Sequence, residues 1–253
     1  GHVTGVQTCA LPIYGIMFGG GVIDWGRAIY GNGETQIYDW NAKKMQATDN
    51  DALYHIWDLW INDLMLNEKA APAVLNSKDI GGGFETGKYG MALIGFWDIA
   101  EIHKVVQDSF EWDLIPLPTN ETYGQWRTQM YANALSISAN SEKKDAAFEY
   151  IKWTLENRDI QTNSVSLPVN KEISSDPEFL NEFADGAKQY NKQLALDALA
   201  NSVIWRNTGT VAEINNNVIK PEIERLVLKP DSTDLKTVLE NIQTEGQKIF
   251  DAE

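Results

Sequence analysis

The stretch Phe84-Glu-Thr-Gly-Lys-Tyr-Gly-Met-Ala-Leu-Ile-Gly-Phe-Trp97 restricts the fold of this chain more than any other. Two glycine turns bracket a short apolar strand, Tyr89 to Ile94, and the tryptophan after it opens a helix. A strand that feeds a helix through a tight turn belongs to α/β architecture. It also leaves an aromatic ring at the strand's carboxyl end, where open sheets present their ligands. Gly82 to Lys88 has the outline of a phosphate-cradling loop, G-x-x-x-x-G-K. That reading is rejected, because the next residue is Tyr89 rather than Ser or Thr and the loop precedes a strand instead of opening a helix.

A chain of 253 residues can bury roughly 70 to 75 per cent of its unfolded surface, enough for one large domain or two lobes. The hydrophobic content of 43% is that of a soluble globular protein, and no apolar run nears the roughly 18 residues of a membrane span. A net charge of −15 argues against nucleic acid and anionic lipid as partners and suits a neutral or cationic ligand. Nine tryptophans hint at a binding protein. Cys9 is the only cysteine, so the chain has no internal disulfide and no Cys-based metal site; redox chemistry leaves the compartment open. His2, His55 and His103 lack any ligand spacing. Asp49-Asn-Asp51 resembles the start of a calcium loop, but Tyr54 stands where glycine is needed and Trp60 where glutamate is needed. It reads as a helix N-terminus, and no cofactor or metal is expected.

The opening Gly1 to Ile13 carries no Asp, Glu, Lys or Arg, shows no period, and joins abruptly onto Tyr14-Gly-Ile-Met-Phe18. It resembles a translated sequencing adapter, to be set aside from fold reasoning. The native gene is then expected to continue upstream, so a missing signal peptide says nothing about location. Cys9 is no lipoprotein cysteine, because Val6-Gln-Thr lacks the small residues cleavage needs. The competing reading is a genuine N-terminal strand.

Beyond a glycine-rich start, Leu53, Ile56, Trp57, Trp60, Ile61 and Leu64 form one helical stripe, which places both tryptophans in the core. A helical turn is expected over Ile80 to Thr86, the strand over Tyr89 to Ile94, and a helix from about Asp98 to Gln107. Further strands are expected over Trp112 to Pro118 and Tyr131 to Ser138. A helix capped by Ser141 should turn Ala147, Phe148, Ile151 and Leu155 inward, and Asp176-Pro177 has the form of an N-cap followed by a first-turn proline. Helices continue to about Ala200. Trp205 to Thr210 reads as a loop into an amphipathic helix kinked at Pro221. A last helix, opened by Ser232 or Thr233, carries Leu235, Val238, Leu239, Ile242 and Ile249 on one side.

Five motifs in order carry a family resemblance: Phe84-x-x-Gly-Lys-x-x-Met91 with Gly95-x-Trp97; Trp112-Asp-Leu-Ile-Pro-Leu-Pro118; Ala134 to Ser138 with Lys143 to Trp153; Leu167-Pro-Val169; and the closing helix Ser232 to Phe250. Together they resemble the sugar-binding, maltose-binding-protein-like extracellular solute-binding proteins of ABC importers, over nearly all of residues 14–253. The resemblance implies a two-lobed α/β fold of the type II periplasmic-binding kind, hinged around a ligand. It implies that residues 14–132 and 187–253 form most of the C-terminal lobe, that 133–186 is a segment returning to the N-terminal lobe, and that most of that lobe is missing. Ser141 to Trp153 would then pack against absent strands and show an exposed apolar patch. The expected partners are a mono- or oligosaccharide and membrane permease subunits. The protein is expected to be a monomer, extracellular or periplasmic, and anchored in full length as a lipoprotein.

A sugar presents an apolar C–H face and a hydroxyl rim, so its site needs a flat aromatic surface flanked by donors and acceptors. Trp97 is placed for that role, and the corresponding family position often stacks on the ligand. Tyr131 and Asn133 sit where a crossing strand leaves the second lobe, with Asn133 offering both donor and acceptor. Trp205 with Arg206 is a second platform with a hydrogen-bonding arm, and Trp25 beside Asp24 is a further candidate. No framed carboxylate pair, nucleophile elbow or metal motif is present, so no enzyme is expected. The alternative is a rigid surface carbohydrate-binding or adhesion protein, which, unlike a transport receptor, would not change shape on binding.

Overall fold

The computed structural model describes residues 12–18, 37–39, 41–75, 82–117, 128–130, 134–162, 167–181, 191–204 and 208–253. The helix expected around the twin tryptophans opens at Asn50, whose Oδ1 accepts from Leu53 N at 3.0 Å. It runs as α1, Asp51–Trp57, and continues in wider π-type turns over Asp58–Asn67. Ala52, Leu53, Ile56, Trp57, Trp60, Ile61 and Met65 are all buried along one side. The stripe meets Phe18 of β1, Tyr14–Phe18, whose ring centroid lies 4.5 Å from that of Trp60.

The other wall of this core comes from the far end of the chain. Thr208 caps α8, Gly209–Ile214, which passes through a π-type turn, Asn215–Ile219, into α9, Lys220–Leu228. Pro221 falls in the first turn of α9, where its missing N–H costs least, so the expected kink becomes a widened turn just before it. The last helix, α10, is Leu235–Asp251, and its cap is Asp234 rather than Ser232 or Thr233. Asp234 Oδ1 accepts from Thr237 N at 2.7 Å; the two earlier candidates lie at and beyond the end of a 3-10 turn, Pro230–Ser232. Leu235, Val238, Leu239, Ile242 and Phe250 are buried, and Ile249 packs against the same core.

Two glutamines fasten α10 to a short hairpin, β2 Tyr38–Asp39 and β3 Lys44–Met45. Gln243 accepts from Ala47 N (2.8 Å) and donates to Met45 O (3.0 Å); Gln247 accepts from Met45 N (3.0 Å) and donates to Lys43 O (3.1 Å). The side-chain amides thus do for the hairpin's outer edge what a third strand would do. Gly246 lies between them, and a Cβ there would come 2.8 Å from Met45 Sδ, so helix and hairpin touch at van der Waals distance.

Two further pairs of strands are parallel. β1 pairs with β4, Tyr89–Leu93, in the register Tyr14↔Tyr89 to Phe18↔Leu93. Pro12 aside, Ile13 and Tyr14 both donate to Lys88 O, at 2.9 and 3.0 Å, and Gly15 and Ile16 to Ala70 O, at 2.7 and 3.1 Å. β5, Thr128–Met130, pairs with β6, Ser202–Ile204. The strand expected over Trp112 to Pro118 is absent from residues 112–117, where Pro116 lacks a donor and no ladder forms. The strand expected from Tyr131 starts earlier, at Thr128, and residues 134–138 are irregular, with Leu135 61% exposed. Residues 131–133 lie outside the described residues.

α3, Lys144–Glu156, forms where expected, but Lys143 occupies its cap position and Ser141 Oγ only accepts from Lys143 N at 3.1 Å. Its buried line is narrow: Ala147 and Ile151 are half-buried and Thr154 is buried. Phe148 (58% exposed) and Leu155 (41%) flank it on one side and Tyr150 (60%) and Trp153 (52%) on the other, so the inward packing expected of Phe148 and Leu155 is not found. Short helices α4 Arg158–Thr162, α5 Lys171–Ser174 and α6 Pro177–Asn181 follow, with Asp176 Oδ1 accepting from Glu178 N at 2.9 Å as its proline-led start implies. Next comes α7, Lys192–Ala200. Arg158 Nη1 ties α4 to Asp176 at 2.8 Å. No helix among the described residues is long and apolar enough to cross a membrane.

Gln243→Leu keeps the helix but leaves Ala47 N and Met45 O unpaired, and should cost about 1 to 3 kcal/mol. Urea unfolding measures it; a loss near zero would show that water replaces both bonds. Phe148→Gln with Trp153→Gln should cut the fluorescence of a bound apolar dye by roughly half without lowering Tm. Unchanged dye binding would mean that this helix face is already covered in solution.

Candidate functional site

The site is built where β4 ends. Gly87, at φ 71°, closes a 3-10 turn, Phe84–Thr86, and releases the chain into β4, and the left-handed backbone there requires glycine. After Leu93 the chain turns at Gly95 into a second 3-10 turn, Phe96–Asp98, and α2, Ile99–Val106, follows without a break. Asp98 N donates to Gly95 O at 3.0 Å, and Asp98 Oδ2 accepts from Gly95 N at 3.3 Å. This closed turn holds Trp97 at the carboxyl end of a parallel strand and the start of a helix, as expected from the sequence. Trp97 is 47% exposed, a large ring held at the surface by a rigid turn.

The other site residues expected from sequence, Trp25, Tyr131, Asn133, Trp205 and Arg206, lie outside the described residues. Tyr131 directly follows Met130, the last residue of β5, and Trp205 directly follows Ile204, the last residue of the parallel strand β6. Trp25 comes seven residues after Phe18, the end of β1. In the sequence, Tyr131 and Trp205 thus come immediately after the parallel strands β5 and β6.

An aromatic cluster that sequence reading did not single out supports α2 from behind. Phe84 meets Phe110 and Trp112 edge-on at 5.6 and 6.4 Å, and His103 of α2 lies 4.5 Å from Trp112. Burial, and then the nearby Lys192 ammonium, hold the His103 imidazole below its ordinary value of 6.5. Lys192 itself donates to Phe179 O at 2.9 Å over the Phe179 ring, and Asp113 Oδ1 accepts from Asn191 N at 3.1 Å. The signal in the sequence was the aromatic spacing around Gly87 and Trp112. Helix α6 and the irregular segment around Asp113 are thereby tied to the start of α7.

A groove of about 250 Å³ lies on the C-terminal helices, lined by Asn217, Val218, Pro221, Glu222, Glu245, Lys248 and Ile249. It has no aromatic wall for the flat face of a sugar, so Trp97 is the better candidate. No group of three or more His, Cys, Asp or Glu placed to hold a metal occurs among the described residues.

The sequence profile of the bacterial extracellular solute-binding proteins matches residues 9–159, more than half of the chain. The chain belongs to that family. No curated protein matches it. Among solved structures it is similar to the sugar-binding protein MalE of Xanthomonas citri (17% identity, TM-score 0.74, covering 94% of this chain and 58% of that one). It is also similar to the maltose/maltodextrin-binding domain MalE of Bdellovibrio bacteriovorus bound to maltotriose (15%, 0.69, 93% and 59%). A third is UgpB of Mycobacterium tuberculosis in complex with glycerophosphocholine (19%, 0.69, 99% and 60%). At these identities the likeness establishes the fold: part of the two-lobed, type II α/β architecture of periplasmic binding proteins. The chain spans about 60% of the length of the structures it matches.

The lowered His103 value fixes the sign of a pH effect. With the folded pKa below the unfolded one, the neutral ring stabilises the fold fully above the ordinary histidine value, and the contribution is lost as pH falls through the folded value. Stability should therefore drop on the acid side of neutrality, and His103→Phe should flatten that part of the profile. Parallel profiles for the two proteins, measured by urea unfolding, would contradict it.

Proposed function

We propose that this chain is part of the substrate-binding receptor of an ABC importer, taking up a mono- or oligosaccharide outside the cytoplasmic membrane and delivering it to the permease. Residues 14–132 and 187–253 form one lobe and 133–186 the segment that returns to the other; the main core supports this, since among the described residues its buried members come from 18–71 and 211–250. Ligand contacts from two lobes would bias a hinge between open and closed states. Periplasmic or cell-surface location, with a lipid anchor in full length, and a monomeric state belong to the same reading.

The observation that carries the proposal is Trp97: a half-exposed indole, fixed by a closed turn at the carboxyl end of a parallel strand, in a chain of the solute-binding family. Tyr131, Asn133, Trp205, Arg206 and Trp25 are proposed to join it, supplying further aromatic surface and the hydrogen bonds that read sugar hydroxyls. A pyranose stacked on the indole removes about 60 to 100 Å² from water, worth roughly 1.5 to 2.5 kcal/mol.

Titration calorimetry with maltose, maltotriose and glycerophosphocholine tests this. A saccharide should bind, and Trp97→Ala should weaken it at least about tenfold. Equal affinity for wild type and Trp97→Ala would remove Trp97 from the site, and binding of glycerophosphocholine alone would replace the sugar by a phosphodiester.

A further inference from the structure

Gly95 is buried at the base of the Trp97 turn, with extended dihedrals, φ −83° and ψ 155°, that any residue can adopt. What demands glycine here is space. A Cβ built on Gly95 would lie within 2.5 Å of three consecutive atoms of the Trp97 ring system, Cε2, Cζ2 and Cη2. An approach in the ring plane reaches three consecutive atoms at that range only at bonding distance from the middle one, and none is that near. The Cβ would therefore land over the face of the six-membered ring. The indole lies flat on the Gly95 backbone.

We propose that Gly95 is the positioning residue of the Trp97 platform: its missing side chain lets the indole lie face down on the chain, so that one face alone is offered outward. The pose follows from geometry; the ligand consequence, that the offered face takes the C–H side of a single sugar ring, rests on the function proposed above. The turn leaves little room for relief. The hydrogen bonds between Gly95 and Asp98 run in both directions and fix the backbone under the ring, and the atoms in conflict belong to a rigid indole rather than a flexible tip. Any side chain at position 95 must drive Trp97 into another rotamer.

Hydroxyl-radical footprinting, read at Trp97 by mass spectrometry, tests the pose without any ligand. Trp97 is 47% exposed, so releasing it in Gly95→Ala should raise its modification about twofold while Trp57 and Trp60 stay protected. Gly209→Ala, where a Cβ meets nothing within 4 Å, controls for the added methyl and should leave Trp97 unchanged. Unchanged Trp97 modification in Gly95→Ala overturns the proposal. Should Gly95→Ala fold poorly, the same substitution made in the Trp97→Ala background must cost no further melting temperature, because alanine lacks every conflicting ring atom; a further loss as large as in the wild type overturns it too. With maltotriose, Gly95→Ala and Trp97→Ala should each weaken binding about tenfold and the pair no further, the signature of one residue acting through the other. If Trp97→Ala leaves binding unchanged while the footprint still responds, the platform reading falls and the positioning role stands.

Discussion

The burial of one helical stripe against helices that lie some 150 residues further along the chain holds this structure together. Trp57, Trp60 and Ile61 are buried in one cluster with Phe18 of β1 and with buried residues of α8, α9 and α10. Fully burying side chains of this kind is worth roughly 1.5 to 3 kcal/mol each. Among the described residues between 71 and 211, Leu75, Leu93 and Leu117 pack against that core as partly buried residues, and none is one of its fully buried members. The glutamine pair of α10 then matters beyond its own bonds. By finishing the edge of the β2–β3 hairpin, it fixes how α10 lies and hence what it can cover.

The proposed site is positioned at second hand from this core. Phe18 is at once a core residue against Trp60 and the last residue of β1, and β1 carries β4 in register beside it. β4 delivers the chain to Gly95, and the turn there points Trp97 outward. A few ångströms of slip in the core would therefore be felt at the platform, while α3 is nearly independent of it. The two regions differ in kind: around Trp97 an exposed aromatic is locked by a turn, whereas on α3 exposed aromatics flank a narrow buried line. The first arrangement suits recognition of a small ligand, and the second suits a surface that more polypeptide covers.

Much of this was legible in the residues, and the misses share a cause. The Leu53 to Leu64 stripe, the Asn50 region as a helix start, Asp176-Pro177 and the Gly87 turn were all readable because each depends on spacing or on local backbone chemistry. Trp112 to Leu117 and Ala134 to Ser138 read as strands because their apolar residues alternate, yet a strand exists only where another chain segment supplies the ladder, and no local pattern reveals that partner. The expectation that Phe148 and Leu155 turn inward failed for the same reason. The cap of the last helix was right in type but shifted from Ser232 or Thr233 to Asp234, since adjacent side chains compete for the same first-turn donors, whereas α3 starts at Lys143 with no side-chain cap bond at all. The cradle under Trp97 was out of reach of the sequence: Gly95 has ordinary dihedrals, and only the packed indole shows why it must be glycine.

Fluorine NMR of protein labelled with 5-fluorotryptophan tests the central claim most directly, since nine tryptophans report on core and surface at once. Titrated with maltotriose, and with Trp97 assigned through Trp97→Phe, the Trp97 resonance should shift saturably while those of Trp57 and Trp60 stay fixed. Saturable shifts elsewhere with Trp97 unmoved, or no shift at any saccharide concentration, would contradict a ligand site at the carboxyl end of β4.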